Sequence, residues 1–567
     1  MKKNILILCC LIPYSLCAAQ ELPKWVNKAR KAVFSVITYD KNDKILNTGN
    51  GFYIDETGTA VSDYSLFEGA ERAIIVTTEG KELPVKYIMG ASDIYDVVKF
   101  KAETDKKQEY LVPAPQPAAV GETVYLLPYS TQKSVSGQSG KITKVDSISN
   151  DSFYYTLDMQ TTDKTVSCPL MNANGEVLGL IQKNVSDDSK ESFAIGIGYA
   201  QSLSIGALSG NDFTLNSIGI RKGLPENESE ALVYLYMISS KLDREEYISL
   251  LNEFIAMYPK NPEGYVRRAT AQATFNDDEH YQLAEEDLEN MLKIAEPKEE
   301  VHSSIAKFLY NYLLGIGAQE PYKEWTYERA IDEINAAIQI SPAPIYYQTM
   351  GNIYFAMQKY PEALAAYDFV NRSSLASANS FYSAARTRER VGSEDKTEII
   401  ALMDSAIAKF NPPYGREAAP YIYERARIKS EAGQHREAVF DYNLYSEAML
   451  GQVSAEFYIT REIEEMQCKM YQQALDDINK AVEMEPNNSD YWMEKGSVHL
   501  RINQPDEAIK ALEKAISLND KNAAAYRMLG YCQISQKKEA EGMTNLQKAK
   551  ELGDTVADEL LQEYQKK

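Results

Sequence analysis

The chain has 567 residues, with 60 Lys and Arg against 82 Asp and Glu, a formal net charge of −22 and a hydrophobic fraction of 44%. That length exceeds what one hydrophobic core serves, so two or more domains, or a domain followed by a repeat array, are expected. The hydrophobic fraction excludes a disordered chain, and an acidic balance without a basic block excludes affinity built on neutralising nucleic-acid phosphates or anionic lipid head groups.

At the start, Met1-Lys2-Lys3 is a short positive region, Ile5 to Leu16 is apolar, and Cys17-Ala18-Ala19 offers small residues before Gln20. This pattern predicts a secretory signal peptide over residues 1–19 and an exported protein, periplasmic or envelope-associated in a bacterium. Lipidation at Cys17, with outer-membrane association, is the alternative; Leu16 is bulkier than a bacterial lipobox usually admits. The apolar run is too short to span a bilayer and no later stretch is longer, so no transmembrane helix is expected.

Residues 20–208 read as successive strands. Ala32-Val33-Phe34-Ser35-Val36-Ile37-Thr38-Tyr39 and Arg72-Ala73-Ile74-Ile75-Val76-Thr77-Thr78 are β-branched and apolar, bounded by turn residues such as Asp43 and Glu79-Gly80. Short strands at regular intervals predict an all-β sandwich or barrel. Residues 209–228, with Ser209-Gly210-Asn211-Asp212 and Gly223-Leu224-Pro225-Glu226-Asn227, read as a linker and as the first site for proteolytic nicking. Beyond it apolar residues recur three and four apart between short Pro, Asn and Asp turns, so the rest is helical.

The helical half repeats itself. Gly496 and Gly530 are 34 residues apart, as are Ala474 and Ala508, and again Ala481, Ala515 and Ala549. The unit Trp492-x3-Gly496-x2-His499-x8-Ala508-x3-Leu512-x2-Ala515 has an earlier copy in Tyr347-x3-Gly351-x2-Tyr354-x8-Ala363-x3-Tyr367. This period on helix pairs resembles tetratricopeptide-repeat proteins. The match is regular over 344–554, stretched over 229–343, and ended by a polar capping helix at 555–567. The resemblance implies a solenoid whose groove takes protein or peptide partners. Asn352, Arg427, Glu494, His499 and Arg527 are the candidates for partner binding in the groove, and reversing the charges of Arg427 and Arg527 together is expected to weaken partner capture while leaving the melting temperature nearly unchanged. Much of the count of 39 tyrosines is core packing.

The strand half resembles trypsin-like serine proteases of the HtrA type. Asn47-Thr48-Gly49-Asn50-Gly51-Phe52-Tyr53-Ile54-Asp55 is similar to the family's G-x-G-S-G-F-V-I-D, and Gly58 to Ala70 to its G-Y-I-L-T-N-x-H-V-V-x-x-A. That alignment puts Ser65 at the histidine position. Ser92 to Lys101 resembles the stretch carrying the triad aspartate, here Asp96. Pro169 to Gly179 matches P-L-x-N-x-x-G-E-V-I-G without a gap, which puts Val166 at the nucleophile position, Lys164 at the oxyanion glycine, and Ser167 and Cys168 at the two glycines after it.

The reaction needs a hydroxyl, an imidazole, an orienting carboxylate and two amides for the oxyanion. Of these only Asp96 survives, and no histidine occurs before His280. Asp96 is therefore expected to serve as a structural carboxylate bonding Ser65 or backbone amides. A slipped register nominating Ser167 or Cys168, or a Ser-Lys dyad with Lys164, remains as an alternative. The outside-signal cysteines Cys168, Cys468 and Cys532 are odd in number and far apart, so no disulfide framework is expected; no CxxC or HExxH occurs, and no metal or cofactor is expected. The leading expectation is a multidomain protein, an all-β trypsin-like double barrel followed by an all-α tetratricopeptide solenoid, acting as a non-catalytic exported adaptor that binds proteins or peptides and no nucleic acid. An active trypsin-like endopeptidase with repeats for substrate capture is the second reading. An envelope-assembly or carbohydrate-handling module with tyrosine platforms is the third.

Overall fold

The structure, a computed structural model, describes residues 23–132, 138–149, 151–162, 164–183, 190–392 and 395–565. Residues 1–19, where a signal peptide is expected, lie outside the described residues, Cys17 among them. The chain divides into two compact units, Met1–Ala295 and Glu296–Lys567.

In the first unit a short helix α1 (Val26–Ala29) leads into six strands, β1 (Val33–Tyr39), β2 (Ile45–Tyr53), β3 (Thr59–Ser62), β4 (Arg72–Val76), β5 (Glu82–Ser92) and β6 (Val97–Ala102). They close an antiparallel barrel in the order β1-β2-β3-β6-β5-β4. The two β-branched runs become β1 and β4 and pair directly, from Ser35 opposite Val76 to Tyr39 opposite Arg72. Six more strands, β7 (Thr123–Leu126), β8 (Gln138–Ser149), β9 (Ser152–Leu157), β10 (Pro169–Met171), β11 (Val177–Ile181) and β12 (Ser192–Gly196), close a second barrel in the order β10-β11-β12-β9-β8-β7. Closure leaves neither sheet an open edge. Outward faces of both barrels share a third core, in which Val33, Phe52 and Val97 meet Met171, Leu180 and Ile195. The barrels are thus held as one body, and the cleft over that core is where loops from both converge.

Residues 209–228 are not a linker. After α2 (Ile197–Ser202), the segment forms α3 (Phe213–Asn216) and buries Leu215, Ile218 and Ile220 in the first barrel's core. It is bonded there through its backbone: Gly69 N donates to Ser217 O and Gly219 N to Ala70 O, both at 2.8 Å, Ile88 N donates to Arg221 O at 2.8 Å, and Gly223 N to Ile88 O at 2.9 Å. Helices α4 (Glu228–Ile238) and α5 (Arg244–Met257) add Ala231, Leu235, Leu251 and Phe254 to the same cluster. The boundary between compact units therefore falls at Ala295, not at the change from strand to helix. Glycine, asparagine and proline punctuate the segment and disguise its three apolar anchors.

The first unit ends with α6 (Pro262–Ala273) and α7 (Asp278–Ile294). The second unit consists of antiparallel helix pairs: α8 (Lys298–Ile316) with α9 (Tyr327–Ile340), α10 (Pro344–Ala356) with α11 (Tyr360–Asn371), α12 (Ala378–Val391) with α13 (Thr397–Ile407), and α14 (Ala419–Glu431) with α15 (His435–Ala448). These are followed by α16 (Ala455–Gln467) with α17 (Tyr471–Met484), α18 (Ser489–Arg501) with α19 (Pro505–Leu518), α20 (Ala523–Ser535) with α21 (Glu539–Glu551), and the single helix α22 (Thr555–Gln565). The periodic glycines stand where two helices come closest. A Cβ added at Gly496 would lie 2.6 Å from Leu512, at Gly351 2.6 Å from the Tyr367 ring, and at Gly530 2.8 Å from the Gly542 carbonyl. Helix α22 buries Ala557 and Leu561 against Leu546 and Ala549 of α21 and so covers the last apolar face.

A second recurrent device ties the hairpins. Arg425 of α14 makes a two-pronged pair with the buried Asp441 of α15, at 2.8 and 2.6 Å, while its remaining nitrogen reaches Asp404 of α13 at 2.7 Å. Arg461 of α16 does the same with Asp477 of α17, both at 2.7 Å, and with Asn443 of α15 at 2.9 Å. Arg268 of α6 repeats it in the first unit with Asp287 of α7 and Asn252 of α5. Each guanidinium fork satisfies a buried carboxylate bidentately and still has a donor for the preceding hairpin.

Candidate functional site

The cleft between the barrels holds the sequence-predicted positions, and the fold brings them together in part. Ser65 sits on a single 3-10 turn, Tyr64–Leu66, at the end of β3, and Asp96 on the tight turn before β6, where its φ is +46°. The Ser65 amide donates to Asp96 Oδ1 at 2.6 Å and the Ser65 hydroxyl to Oδ2 at 3.0 Å. Asp96 thus bonds the exposed residue that stands at the imidazole position.

Across the cleft, the 164–168 turn precedes β10. Asn50 of β2, nearly buried, donates through Nδ2 to the carbonyls of Lys164, at 3.1 Å, and Val166, at 2.8 Å, while its Oδ1 accepts from the Tyr129 amide at 3.3 Å. Ser62 fixes Asn50 in turn by donating to its carbonyl at 2.6 Å. The amides of Thr165, Ser167 and Cys168 are committed to the carbonyls of Thr162, Ile181 and Thr165. One amide side chain from the first barrel therefore clasps the second barrel's loop by two carbonyl oxygens.

The slipped registers place their nucleophiles inside the protein. Ser167 and Cys168 are both 0% exposed, and Ser167 adopts a φ of +62°, a left-handed conformation that suits the glycine of the resembled motif. Burial, with Asp63 beside it, pushes the Cys168 thiol upward, away from the reactive thiolate. Lys164 is exposed on its turn, without the burial that turns a lysine into a base. Val166 is half-buried and carries no nucleophilic atom.

Asp63 is the residue that sequence reasoning passed over. It lies two positions before Ser65, fully buried, and burial together with the charge of Asp96 holds its carboxyl well above the usual range. The Ser167 hydroxyl is close enough to favour its anion, yet neither Asp63 Oδ1 nor Ser167 Oγ completes a hydrogen bond of good geometry. The cleft thus contains a buried carboxyl and a hydroxyl sealed beneath its floor.

Among the described residues the four histidines are all helical or at helix starts, bonded to Asp277, Glu333, Glu464 and Gln504. No group of three or more metal-ligating side chains is found among the described residues, and no described helix is long and apolar enough to cross a membrane.

The five groove candidates are more deeply engaged than expected. His499 is 7% exposed and its Nδ1 meets Gln504 at 2.9 Å, so it belongs to the hairpin interior, not to a groove surface. Arg427 of α14 is held by Glu424 at 2.7 Å, by Glu389 of α12 at 2.8 Å and by Glu431. Arg527 bonds Asp554 at 2.8 Å, joining α20 to the turn before α22. Asn352 accepts from Tyr367 at 2.9 Å. Glu494 is largely buried, which raises its carboxyl. Charge reversal at Arg427 and Arg527 would therefore disturb the array itself, because each spans neighbouring elements. The spacing rule located the first helix of each pair but not the partners waiting on adjacent helices.

Two further buried carboxyls stand in the run Arg461-Glu462-Ile463-Glu464-Glu465 of α16. Glu462 is 1% and Glu465 2% exposed, and three of their four carboxyl oxygens have no hydrogen-bond partner. Burial, reinforced for Glu462 by Glu494 and for Glu465 by Asp477, pushes each to about 8.

Comparison with known proteins agrees with this architecture. Residues 49–180 match the family model described as trypsin-like peptidase domain, and residues 467–549 match that described as anaphase-promoting complex, cyclosome, subunit 3. A curated relative, the small glutamine-rich tetratricopeptide repeat-containing protein 2 of Saccharomyces cerevisiae, is 26% identical over 98 residues, which are 17% of this chain and span 28% of the relative's length. The chain joins a trypsin-like peptidase fold of two six-stranded barrels to a helical region of tetratricopeptide type.

Proposed function

We propose that this protein is a non-catalytic scaffold, exported from a bacterial cytoplasm into the envelope, that binds protein or peptide partners through its helical repeats. The observation that carries the reading is the closed pair of Ser65 and Asp96 in a double barrel with no histidine before His280. With no imidazole to accept a proton, the remaining hydroxyls lack the base that this mechanism uses, and the two slipped-register nucleophiles are fully buried. The trypsin-like barrels then serve as a rigid platform, and the helix pairs supply the surface that stacked repeats use for partners.

The test is incubation of the full chain with unfolded casein and with a serine-directed fluorophosphonate. The expected result is no cleavage and no labelling. Labelling that maps to Ser65 or Ser167, or cleavage abolished by Ser167→Ala, overturns the reading. Capture of partners from envelope extract by the full chain, retained after barrel-cleft substitutions and lost after substitutions in α14 to α20, addresses the binding half; osmotic-shock fractionation of the native host addresses export.

A further inference from the structure

A pocket of about 210 Å³ opens in the first compact unit where the segment from Ser209 to Lys222 meets α4 and α5. Its floor is apolar, contributed by Ile238, Leu242, Leu250 and the ring of Tyr234. Lys222 and Lys241 stand in the same lining. Arg221 lines it too, but its charge is met by Glu253 through two bonds of 3.0 and 2.6 Å.

The two lysines are served differently. Lys222 Nζ donates to the carbonyl of Ile218, and Lys241 Nζ to the carbonyl of Gly210 and to Asn211 Oδ1, each at 2.7 Å. All three acceptors are neutral, and among the described residues no carboxylate lies within ion-pair distance of either ammonium. Glu71 acts on Lys222 only from farther away, and Glu246, also in the lining, accepts from the Asp243 amide that it caps. An ammonium has three donors, so both lysines keep donors beyond these bonds. Burial pushes Lys222 down to about 8, the more distant Glu71 acting in the opposite sense without cancelling it.

We propose that this pocket binds a small organic carboxylate with a branched apolar body. The two ammonium groups would receive the carboxylate, and the Ile238, Leu242 and Leu250 side chains its hydrocarbon. The volume equals roughly seven waters at about 30 Å³ each, enough for a leucine-sized group. Inorganic phosphate would satisfy the cations but leave the apolar floor uncovered. The same chemistry is presented by a free short acid and by the C-terminal residue of a peptide.

Calorimetric titration of the full chain at pH 8 with isovalerate, N-acetyl-leucine, N-acetyl-leucinamide and phosphate tests this. Both acids should bind, and the amide and phosphate should bind at least about tenfold more weakly. Binding should take up protons, seen as a heat that changes with the buffer's ionisation enthalpy, because the carboxylate favours charged Lys222. Lys222→Gln and Lys241→Gln should each weaken the acids about tenfold or more with the far-ultraviolet circular dichroism unchanged. If Lys222→Gln does not fold, Lys241→Gln and the proton uptake decide. N-acetyl-leucine preferred over isovalerate assigns a peptide terminus, and the reverse a free acid. Equal binding of acid and amide, equal binding of phosphate, or no binding of either acid at tens of millimolar overturns the proposal.

Discussion

Replacing Glu462 with glutamine should stabilise the protein increasingly as the pH rises from about 4.5 to 8. The side chain is 1% exposed on α16, with both carboxyl oxygens unpartnered, and faces Glu494 of α18, Glu465 on its own helix and Asp477 of α17, with Arg501 alone acting in the opposite sense. Its folded-state value of about 8 stands against 4.5 for the ordinary glutamate. An acid with a raised folded value is at its most favourable below the unfolded value. Stability is then lost between about pH 4.5 and 8, because the folded state holds a proton that the unfolded chain has released, and the loss is complete above 8. At about 1.4 kcal/mol per unit, the whole span is of order 3–5 kcal/mol. Glutamine keeps the shape and removes the ionisation. Urea melts of the full chain, followed by circular dichroism and by tryptophan fluorescence, should give near-equal midpoints for wild type and variant at pH 5. At pH 9 the variant's midpoint should be clearly higher. Parallel behaviour from pH 5 to 9, or a less stable variant at pH 9, would refute the reasoning, since an ionised Glu462 would then be accommodated without cost.

Arg425→Ala should destabilise the second unit by about 3–5 kcal/mol in urea melts, because Asp441 is left buried with only Lys429 as counter-charge, and pairing it with Asp441→Leu should recover much of the loss. Gly496→Ala should cost about 1–3 kcal/mol despite alanine's better helix propensity, because the new methyl group meets Leu512; a variant as stable as wild type would show that the helices part freely. Asn50→Ala should cost about 1–3 kcal/mol and speed proteolysis at the 164–168 turn, whose carbonyls it holds, with no gain of peptidase activity on casein. Limited proteolysis, with fragment ends identified by mass spectrometry, should leave residues 209–228 intact under conditions that first cut elsewhere; an early nick there would contradict the backbone bonding of Ser217 to Gly223.

Much of the fold was legible because its signals are local. The β-branched runs became β1 and β4, and the 34-residue glycines fell where helix backbones meet, since both patterns follow from packing periodicities that a linear reading captures. The positions in the cleft were legible through a motif with fixed spacing, which put Ser65 beside Asp96 and placed 164–168 across from them. What escaped was set by distant partners. Nothing near Asn50 announces that its side chain clasps a loop 114 and 116 residues away. Asp63 reads as a polar turn residue until β3 carries it inside, and Leu215, Ile218 and Ile220 look like punctuation until a barrel offers them a place. Arg427 and Arg527 look solvated because the contacts that tie them into the array, Glu389 of α12 and Asp554 before α22, are distant in sequence.

The arginine forks also give the array a direction. Each reaches forward to the second helix of its own hairpin and backward to the second helix of the hairpin before it, so the chemical unit is out of phase with the structural one. Loosening α13 deprives Arg425 of Asp404, and loosening α15 deprives Arg461 of Asn443 as well as Arg425 of Asp441. Loosening α16 leaves every bond of Arg425 in place. Loosening α15 therefore opens the forks of both hairpins, whereas loosening α16 costs the α14–α15 hairpin, among these fork bonds, only the one to Asn443.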